Sequence, residues 1–315
     1  MQRYLAGRVF ALVPVLVGIL AAVFLLIRLI PGDAVQLFLG TQVEMTPEQM
    51  TELRRFLGVD KPIWAQFLDY GSRILRGEFG VSLRTARPVL PDILARLPVS
   101  AELATLSLLI AVALALPLGI ASAVTRNSTF DVLTRIGGLL GLSIPNFWLG
   151  AMLILFFSRY FHVSVGRYVP LTQDPLATLR SLALPALALG TAIAAILMRY
   201  VRSALLEVLS QEYVRTAHGK GLRRAAVMVR HALPNALIPV ITVVGFQLAY
   251  LLGGTVVIEE IFALPGMGRL ALQAIFQRDY PVVQGVVLVV ALLFVLTNLL
   301  VDVLYAWLDP RIHYG

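Results

Sequence analysis

Apolar residues gather along this chain in six long stretches, at roughly 9–30, 101–124, 133–158, 182–203, 236–258 and 284–307. An α-helix needs about 20 largely apolar residues to cross roughly 30 Å of hydrocarbon, and each stretch is long enough. The pattern predicts an all-α membrane protein with about six transmembrane helices. Pro117, Pro145 and Pro185 fall inside the stretches. Membrane helices tolerate such breakers when neighbouring groups take up the freed carbonyls, so these prolines mark either kinks beside a pathway or ordinary packing kinks. The first stretch, behind Arg3 and Arg8, imitates a signal peptide. Its run from Val9 to Ile27 exceeds the about 7–15 residues of a signal-peptide core, and Pro31-Gly32 follows it. An uncleaved first helix is therefore expected.

Between the first and second stretches lies a sizeable polar insertion, 31–100, in which basic and acidic residues balance. Thr46-Pro47-Glu48-Gln49 has the form of a capping box with proline at the first helical position, and Gly58 ends a helix Glu48–Leu57. Met50, Leu53 and Leu57 share one face of it. A second helix is expected after Lys61-Pro62, ending near Gly77 and burying Ile63, Phe67, Tyr70 and Ile74. The chain thus divides into an N-terminal tail and first helix (1–30), an extracytoplasmic helical insertion (31–100) and a five-helix core (101–315). That core contains a cytoplasmic loop at 204–235.

Composition agrees with a lipid solvent: 58% of residues are hydrophobic, 14% are charged, and the mean hydropathy is +0.83. Soluble domains are nearer a quarter charged. The formal charge is +8, with Lys61 and Lys220 the only lysines among 26 basic residues. No basic stripe with interleaved aromatics offers a nucleic-acid face, whereas basic residues collect in cytoplasmic loops of membrane proteins. Arg202, at the end of stretch four, and Arg215, Lys220, Arg223, Arg224 and Arg230 mark the segment between stretches four and five; Arg126 and Arg135, the latter at the start of stretch three, mark the turn between two and three. With Arg3, Arg8 and Arg311 they fall on one side of a six-helix topology, which puts both termini in the cytoplasm. The opposite side is less clean, since 159–181 holds Arg159, Arg167 and Arg180.

Several chemistries find no support. The chain has no cysteine, which excludes disulfides, thiol catalysis and cysteine zinc sites. His162, His218, His231 and His313 lie outside the interiors of the expected helices, and no two have i, i+4 ligand spacing. Ser143 is the best-placed intramembrane serine, but no expected helix supplies a histidine base, and it reads better as a small packing residue beside Gly141 and Pro145. No G-x-x-x-x-G-K-[ST] phosphate loop is present, so the chain alone is not expected to hydrolyse ATP. Apart from Arg135 and Arg202, counted with the loops, Arg28, Glu102, Arg199 and Asp302 are the few charges within or at the ends of the stretches. An ionisable group in a membrane helix is a functional candidate. A proton-coupled carrier usually has more of them at mid-depth, and no repeat relates the two halves. A secondary transporter or channel, and a membrane enzyme, are thereby disfavoured alternatives.

The segment Gln211-Glu212-Tyr213-Val214-Arg215-Thr216-Ala217-His218-Gly219-Lys220-Gly221-Leu222, followed by Leu233-Pro234, is the most unusual part of the chain. It reads either as a solvated basic loop or as a docking surface, with Ala217, Gly219 and Gly221 small enough for close approach. Here the sequence resembles the membrane subunits of ATP-binding-cassette importers, whose loop carries an EAA…G…I-LP pattern. Arg215-Thr216-Ala217 stand at the EAA positions, Gly221 at G, His231 at I, and Leu233-Pro234 at LP. The departures resemble the variant of the dipeptide/oligopeptide/nickel branch. Other stretches fit that branch: Arg28-Leu29-Ile30-Pro31-Gly32-Asp33, Gly77-Glu78-Phe79-Gly80, Arg96-Leu97-Pro98, Ser143-Ile144-Pro145 and Gly253-Gly254. Glu259, Pro265-Gly266-Met267-Gly268, Arg278-Asp279-Tyr280-Pro281 and the tail Leu308-Asp309-Pro310-Arg311-Ile312 follow in order. The likeness is to the first of the two permease subunits, which has a large outer loop after its first helix.

The resemblance implies a type I importer permease fold and a complex in a prokaryotic inner membrane. Its parts would be two similar permeases, two ATP-binding-cassette ATPase subunits or domains that hold ATP and Mg2+, and an extracytoplasmic substrate-binding protein. This chain would bind no cofactor or metal itself. A coupling helix is expected near Glu212–Gly221, with Arg215 and Lys220 contacting the ATPase and Ala217 and Gly221 allowing close approach. Glu212, Tyr213, Thr216, Leu222, Leu233 and Pro234 complete the expected coupling set. Ser143, Pro145, Glu259 and Asp302 are candidates for the pathway or its gate. Peptides are the commonest cargo of the branch, with nickel chelates, glutathione and oligosaccharides as alternatives. The outer insertion either docks the binding protein or caps the helix bundle.

Overall fold

A computed structural model describes residues 2–28, 61–162 and 168–308. The expected helix Glu48–Leu57, the Pro31-Gly32 exit, Arg167 and the residues after Leu308 lie outside them. Among the described residues there is no strand, only an isolated bridge between Val81 and Pro88.

The long helices are α1 (Gln2–Arg28), α3 (Val89–Val124), α6 (Pro175–Leu209), α9 (Leu233–Gly254) and α12 (Tyr280–Leu308). The shorter ones are α2 (Ile63–Leu75), α4 (Thr129–Ser143), α5 (Asn146–Phe161), α7 (Glu212–Gly219), α8 (Arg224–Val227), α10 (Val256–Ile261) and α11 (Met267–Gln277). Their ends follow local chemistry. Asp174 caps α6 by accepting from the N–H groups of Leu176 and Ala177, both at 3.0 Å, with Pro175 at the first helical position. Ser128 caps α4 by accepting from Asp131 N at 3.2 Å.

The third apolar stretch is not one straight helix. It breaks at Ser143-Ile144-Pro145, and α4 and α5 meet at 97°. Proline disfavours helical backbone in the residue before it, and Ile144 is accordingly extended (φ −83°, ψ 120°). The fifth stretch also stops early: α9 ends at Gly254, and the chain turns through Thr255 into the α10–α11 hairpin. Pro117 and Pro185 remain inside continuous helices.

Close contacts fix how the helices run. A Cβ on Gly119 would lie 2.8 Å from Val201, and one on Gly190 would lie 2.8 Å from the Ser107 carbonyl. The two contacts advance together along α3 and α6, so these helices are parallel. Small residues at such crossings let backbones approach where lipid supplies no hydrophobic drive between helices. Gly138 meets Met198 and Gly141 meets Ala195, so α4 runs against α6. Gly245 abuts Val301 while Gly253 lies beside Val290, which makes α9 and α12 antiparallel. The Arg8–Asp302 pair at 3.0 Å and the Gln284-to-Val23 carbonyl bond at 2.9 Å make α1 antiparallel to α12. The start of α1, the α3–α4 turn, residues 210–232 and the end of α12 therefore share one face, the inner face. The α2 segment, the loop before α6 and the α10–α11 hairpin share the other.

The central core joins Leu103, Ala111, Leu189, Leu197 and Phe262, among others. A second cluster, with Ile93, Met267, Leu270 and Val286, seats the outer ends of α3 and α12 on α11. In the insertion, α2 lies on the end of α1: the Phe24 ring meets Phe67 at 5.3 Å and Tyr70 at 5.7 Å. Burial pushes the Tyr70 phenol up to about 12. Ile63 was expected to be buried as well but is exposed, because the contact centres on Phe24 and does not reach the first turn of α2.

Candidate functional site

Beyond Leu209 the inner face is built from short pieces. Ser210 caps α6, Gln211 is extended (φ −73°, ψ 147°), and α7 begins at Glu212. The Glu212 carboxylate lies in the first turn, where it complements the helix dipole, and accepts from Arg215 at 2.7 Å. Val214 and Ala217 turn inward onto Val208, Leu209 and Val227. Ala217, expected to allow close approach of the ATPase, is buried against its own chain. Tyr213, Arg215, Thr216, Lys220 and Leu222 are left exposed. An eight-residue helix is too short to persist in water without tertiary packing, so the Val214–Ala217 seat is what keeps α7 formed.

The end of α7 is a Schellman motif. Gly221 N–H donates to the His218 carbonyl at 2.9 Å and Leu222 N–H to the Ala217 carbonyl at 3.4 Å. The motif requires left-handed backbone, and Gly221 has φ +80°. A Cβ on Gly221 would meet nothing within 4 Å, so the glycine answers a backbone need and not a spatial one.

From Arg224 the chain runs as one helix up to Gly254, with a π-helical turn at Met228–Ala232. Leu233 N–H reaches back to the Met228 carbonyl. Proline has no N–H and crowds the carbonyl four residues earlier, and the wider turn directly before Pro234 relieves that. The exposed α7 is thus joined to a membrane helix by a short covalent path through Leu233 and half-buried turns.

Beneath the platform lies a buried ion pair. Asp131 has no exposed surface and accepts from Arg202 Nε at 2.7 Å and from its terminal nitrogen at 2.9 Å. Ser122 Oγ (2.6 Å) and Asn127 N–H (3.0 Å) also donate to it. Isolated carboxylates are not buried without such compensation. The cluster pins the end of α3, the start of α4 and the emerging end of α6 together.

The pathway candidates are scattered. Ser143 and Pro145 sit at the exposed α4–α5 break, where Ser143 Oγ donates to the Leu139 carbonyl at 2.9 Å. Asp302 pairs with Arg8 near the inner face. Glu259 lies at the outer end, 0% exposed. Its carboxylate accepts from Ser100 Oγ and Thr255 Oγ1, each at 2.7 Å, and from Arg269 N–H at 2.9 Å. Ser100 Oγ in turn accepts from Met267 N–H at 2.9 Å. Gly266 packs so tightly on this carboxylate that a Cβ there would collide with it. Glu259 therefore ties the α10–α11 hairpin to α3. Asp279 makes a similar tie, accepting from Ser82 Oγ and, at 3.1 Å, from Leu83 N–H. Among the described residues no three His, Asp or Glu side chains converge as a metal site would need.

Comparison with known proteins gives two family matches. Residues 115–314 match the binding-protein-dependent transport system inner membrane component, and residues 1–104 match the N-terminal part of a binding-protein-dependent transport system membrane component. The chain is 40% identical over 337 residues to the dipeptide transport system permease protein DppB of Alkalihalophilus pseudofirmus, covering 100% of both chains. It is 38% identical over 339 residues to the protein of that name in Escherichia coli, covering 100% of this chain and 99% of the relative. The glutathione transport system permease protein GsiC of Salmonella typhimurium is 39% identical over 314 residues, again with 100% of both chains covered.

Proposed function

Because the chain belongs to the family of inner membrane components of binding-protein-dependent transport systems, we propose that it forms half of the translocation path of an ATP-driven importer. The observation that carries the energy-coupling part of this reading is α7. It is a short helix held by Val214 and Ala217, exposing Tyr213, Arg215, Thr216 and Lys220, and linked through Leu233-Pro234 to membrane helix α9. In this reading α7 rests in a groove of a separate ATPase subunit or domain that holds ATP and Mg2+. Arg215 and Lys220 meet that partner, and Glu212, Leu222 and Gly221 shape the helix ends. Closure of two such ATPases moves α7, and α9 carries the motion into the membrane.

The remaining partners are a second, similar permease and an extracytoplasmic binding protein. Both termini and α7 are cytoplasmic, in keeping with the basic residues of the inner face. The wide exposed apolar face of α4 and α5, with Leu133, Leu139, Phe147 and Leu155, suits cover by lipid or by the second permease. The insertion has two roles open to it: α2 lies on α1, while its exposed Trp64 and Leu68 offer a surface to the binding protein. Ser143 and Pro145, at an exposed bend in a membrane helix, are the better pathway candidates. Glu259 and Asp302 act as ties.

The cargo is a di- or oligopeptide, a reading supported by relatives named as dipeptide permeases at 38–40% identity. Glutathione, itself a small peptide, is a second reading supported by the 39% identical glutathione permease. The test is uptake of labelled dipeptides, oligopeptides and glutathione into proteoliposomes holding the whole complex, with ATP inside and binding protein outside. ATP-dependent peptide accumulation that vanishes without the binding protein is expected. Binding-protein-stimulated ATP hydrolysis with no peptide uptake would overturn the cargo, and silence of both in a folded complex would overturn the importer.

A further inference from the structure

The groove between α4 and α6 carries a feature that the coupling platform does not require. Asp131 already neutralises Arg202 through two hydrogen bonds. Beside this pair opens a cavity of about 260 Å³, lined by Gly138, Leu139, Leu142 and Met198 and by two more arginines, Arg135 and Arg199. Arg135 approaches Asp131 only to 3.9 Å and keeps 53% of its side chain exposed. Arg199 is exposed and makes no hydrogen bond or ion pair among the described residues. Two positive charges therefore overhang a largely apolar floor, and the nearby carboxylate is already saturated by Arg202, Ser122 and Asn127.

Depth gives the groove its meaning. Arg135 stands in the second turn of α4, and Arg199 lies close to the inner end of the apolar stretch 182–203. Exposed Leu139 and Leu142 continue the floor away from the inner face along α4. Cations at the polar boundary with apolar surface running toward mid-membrane match the polarity of an anionic phospholipid. Basic pockets between membrane helices on the cytoplasmic side bind acidic head groups by this chemistry. Pockets that enclose whole small molecules run about 300–1,000 Å³; a slightly smaller one suits a head group whose tails lie outside.

We propose that the α4–α6 groove binds one anionic phospholipid, its phosphate held by Arg135 and Arg199 and an acyl chain laid along Leu139 and Leu142. The lipid bridges two helices next to the Asp131–Arg202 pair and braces the base of the α7 platform. Assignment to the cytoplasmic leaflet rests on the orientation proposed above; the site itself does not.

The test is native mass spectrometry of the purified transporter complex titrated with phosphatidylglycerol, phosphatidylcholine or glycerol 3-phosphate. Phosphatidylglycerol adducts are expected, with little binding of the other two. Each basic residue at an anionic membrane surface adds roughly fivefold to affinity. Arg135→Gln and Arg199→Gln should each weaken phosphatidylglycerol binding by about that factor, and the double variant by about thirtyfold. Arg126→Gln, in the α3–α4 turn outside the groove, should leave it unchanged. Three results overturn the proposal. Glycerol 3-phosphate binding as tightly as the lipid would mean a plain anion site. Unaltered lipid affinity in both single variants would place the lipid elsewhere. Loss of the second permease from variants that remain folded would make the groove a subunit interface.

Discussion

Any residue other than glycine at 221 must hold φ near +80°, which costs an L-residue about 1–2 kcal/mol. The space around that position is open, so the strain falls on the end of α7 alone. Gly221→Val should leave the complex assembled, with its melting temperature within a few degrees. It should lower binding-protein-stimulated ATP hydrolysis and uptake together; full retention of both would show that the end of α7 has no part in coupling. Asp131 answers to a different physics. Removing one member of a buried pair strands the other, at a cost of about 3–5 kcal/mol. Arg202 keeps some exposed surface, so Asp131→Asn should destabilise by about 3 kcal/mol, measured as a lowered unfolding temperature of the purified complex. The pairing of Asp131 with Arg202 was not legible in the sequence. The two are 71 residues apart, and nothing local distinguishes Arg202 from the arginines around it. Ala217 carries a related ambiguity: a small residue suits close approach by a partner and a seat on its own chain equally well.

At the scale of elements, the α10–α11 hairpin depends on a carboxylate that only accepts. In Glu259→Gln one oxygen becomes an NH2 donor, facing either the Arg269 N–H or the Ser100 and Thr255 hydroxyls. Leaving one buried donor unsatisfied costs about 1–3 kcal/mol. The variant should unfold earlier and admit proteolysis between Ile261 and Met267, while α7 still docks on its ATPase. Unchanged stability would mean that Glu259 does not hold the hairpin. The membrane helices themselves were readable because a long apolar run is sufficient signal for a helix in lipid. The break at Ile144 was not, since prolines at 117 and 185 leave helices continuous while Pro145 ends one. The deciding difference is tertiary. The short α4 is held along α6 by Gly138 and Gly141, and α5 turns away to pack Gly150 on Phe262. The hairpin after Thr255 was legible only as motifs, because its folding depends on contacts with Ser100, far away in the chain.

Across the whole molecule the pairings of α1 with α12, α3 with α6 and α9 with α12 form one consistent alternation, with the basic segments gathered on the inner face. Charge placement in the sequence had already grouped those segments, because it depends on loop composition and not on packing. Which side of a membrane that face meets, and what it meets there, are the parts that rest on the proposed coupling. The most direct measurement places a photo-crosslinking amino acid singly at Arg215, Thr216 or Lys220 in the transport-competent complex. Each should capture the ATPase subunit, with yields that change when ATP is bound, while a probe at Gln173 on the opposite face captures none. Capture of the ATPase elsewhere, with α7 silent and transport intact, would contradict the account of how this chain takes its energy.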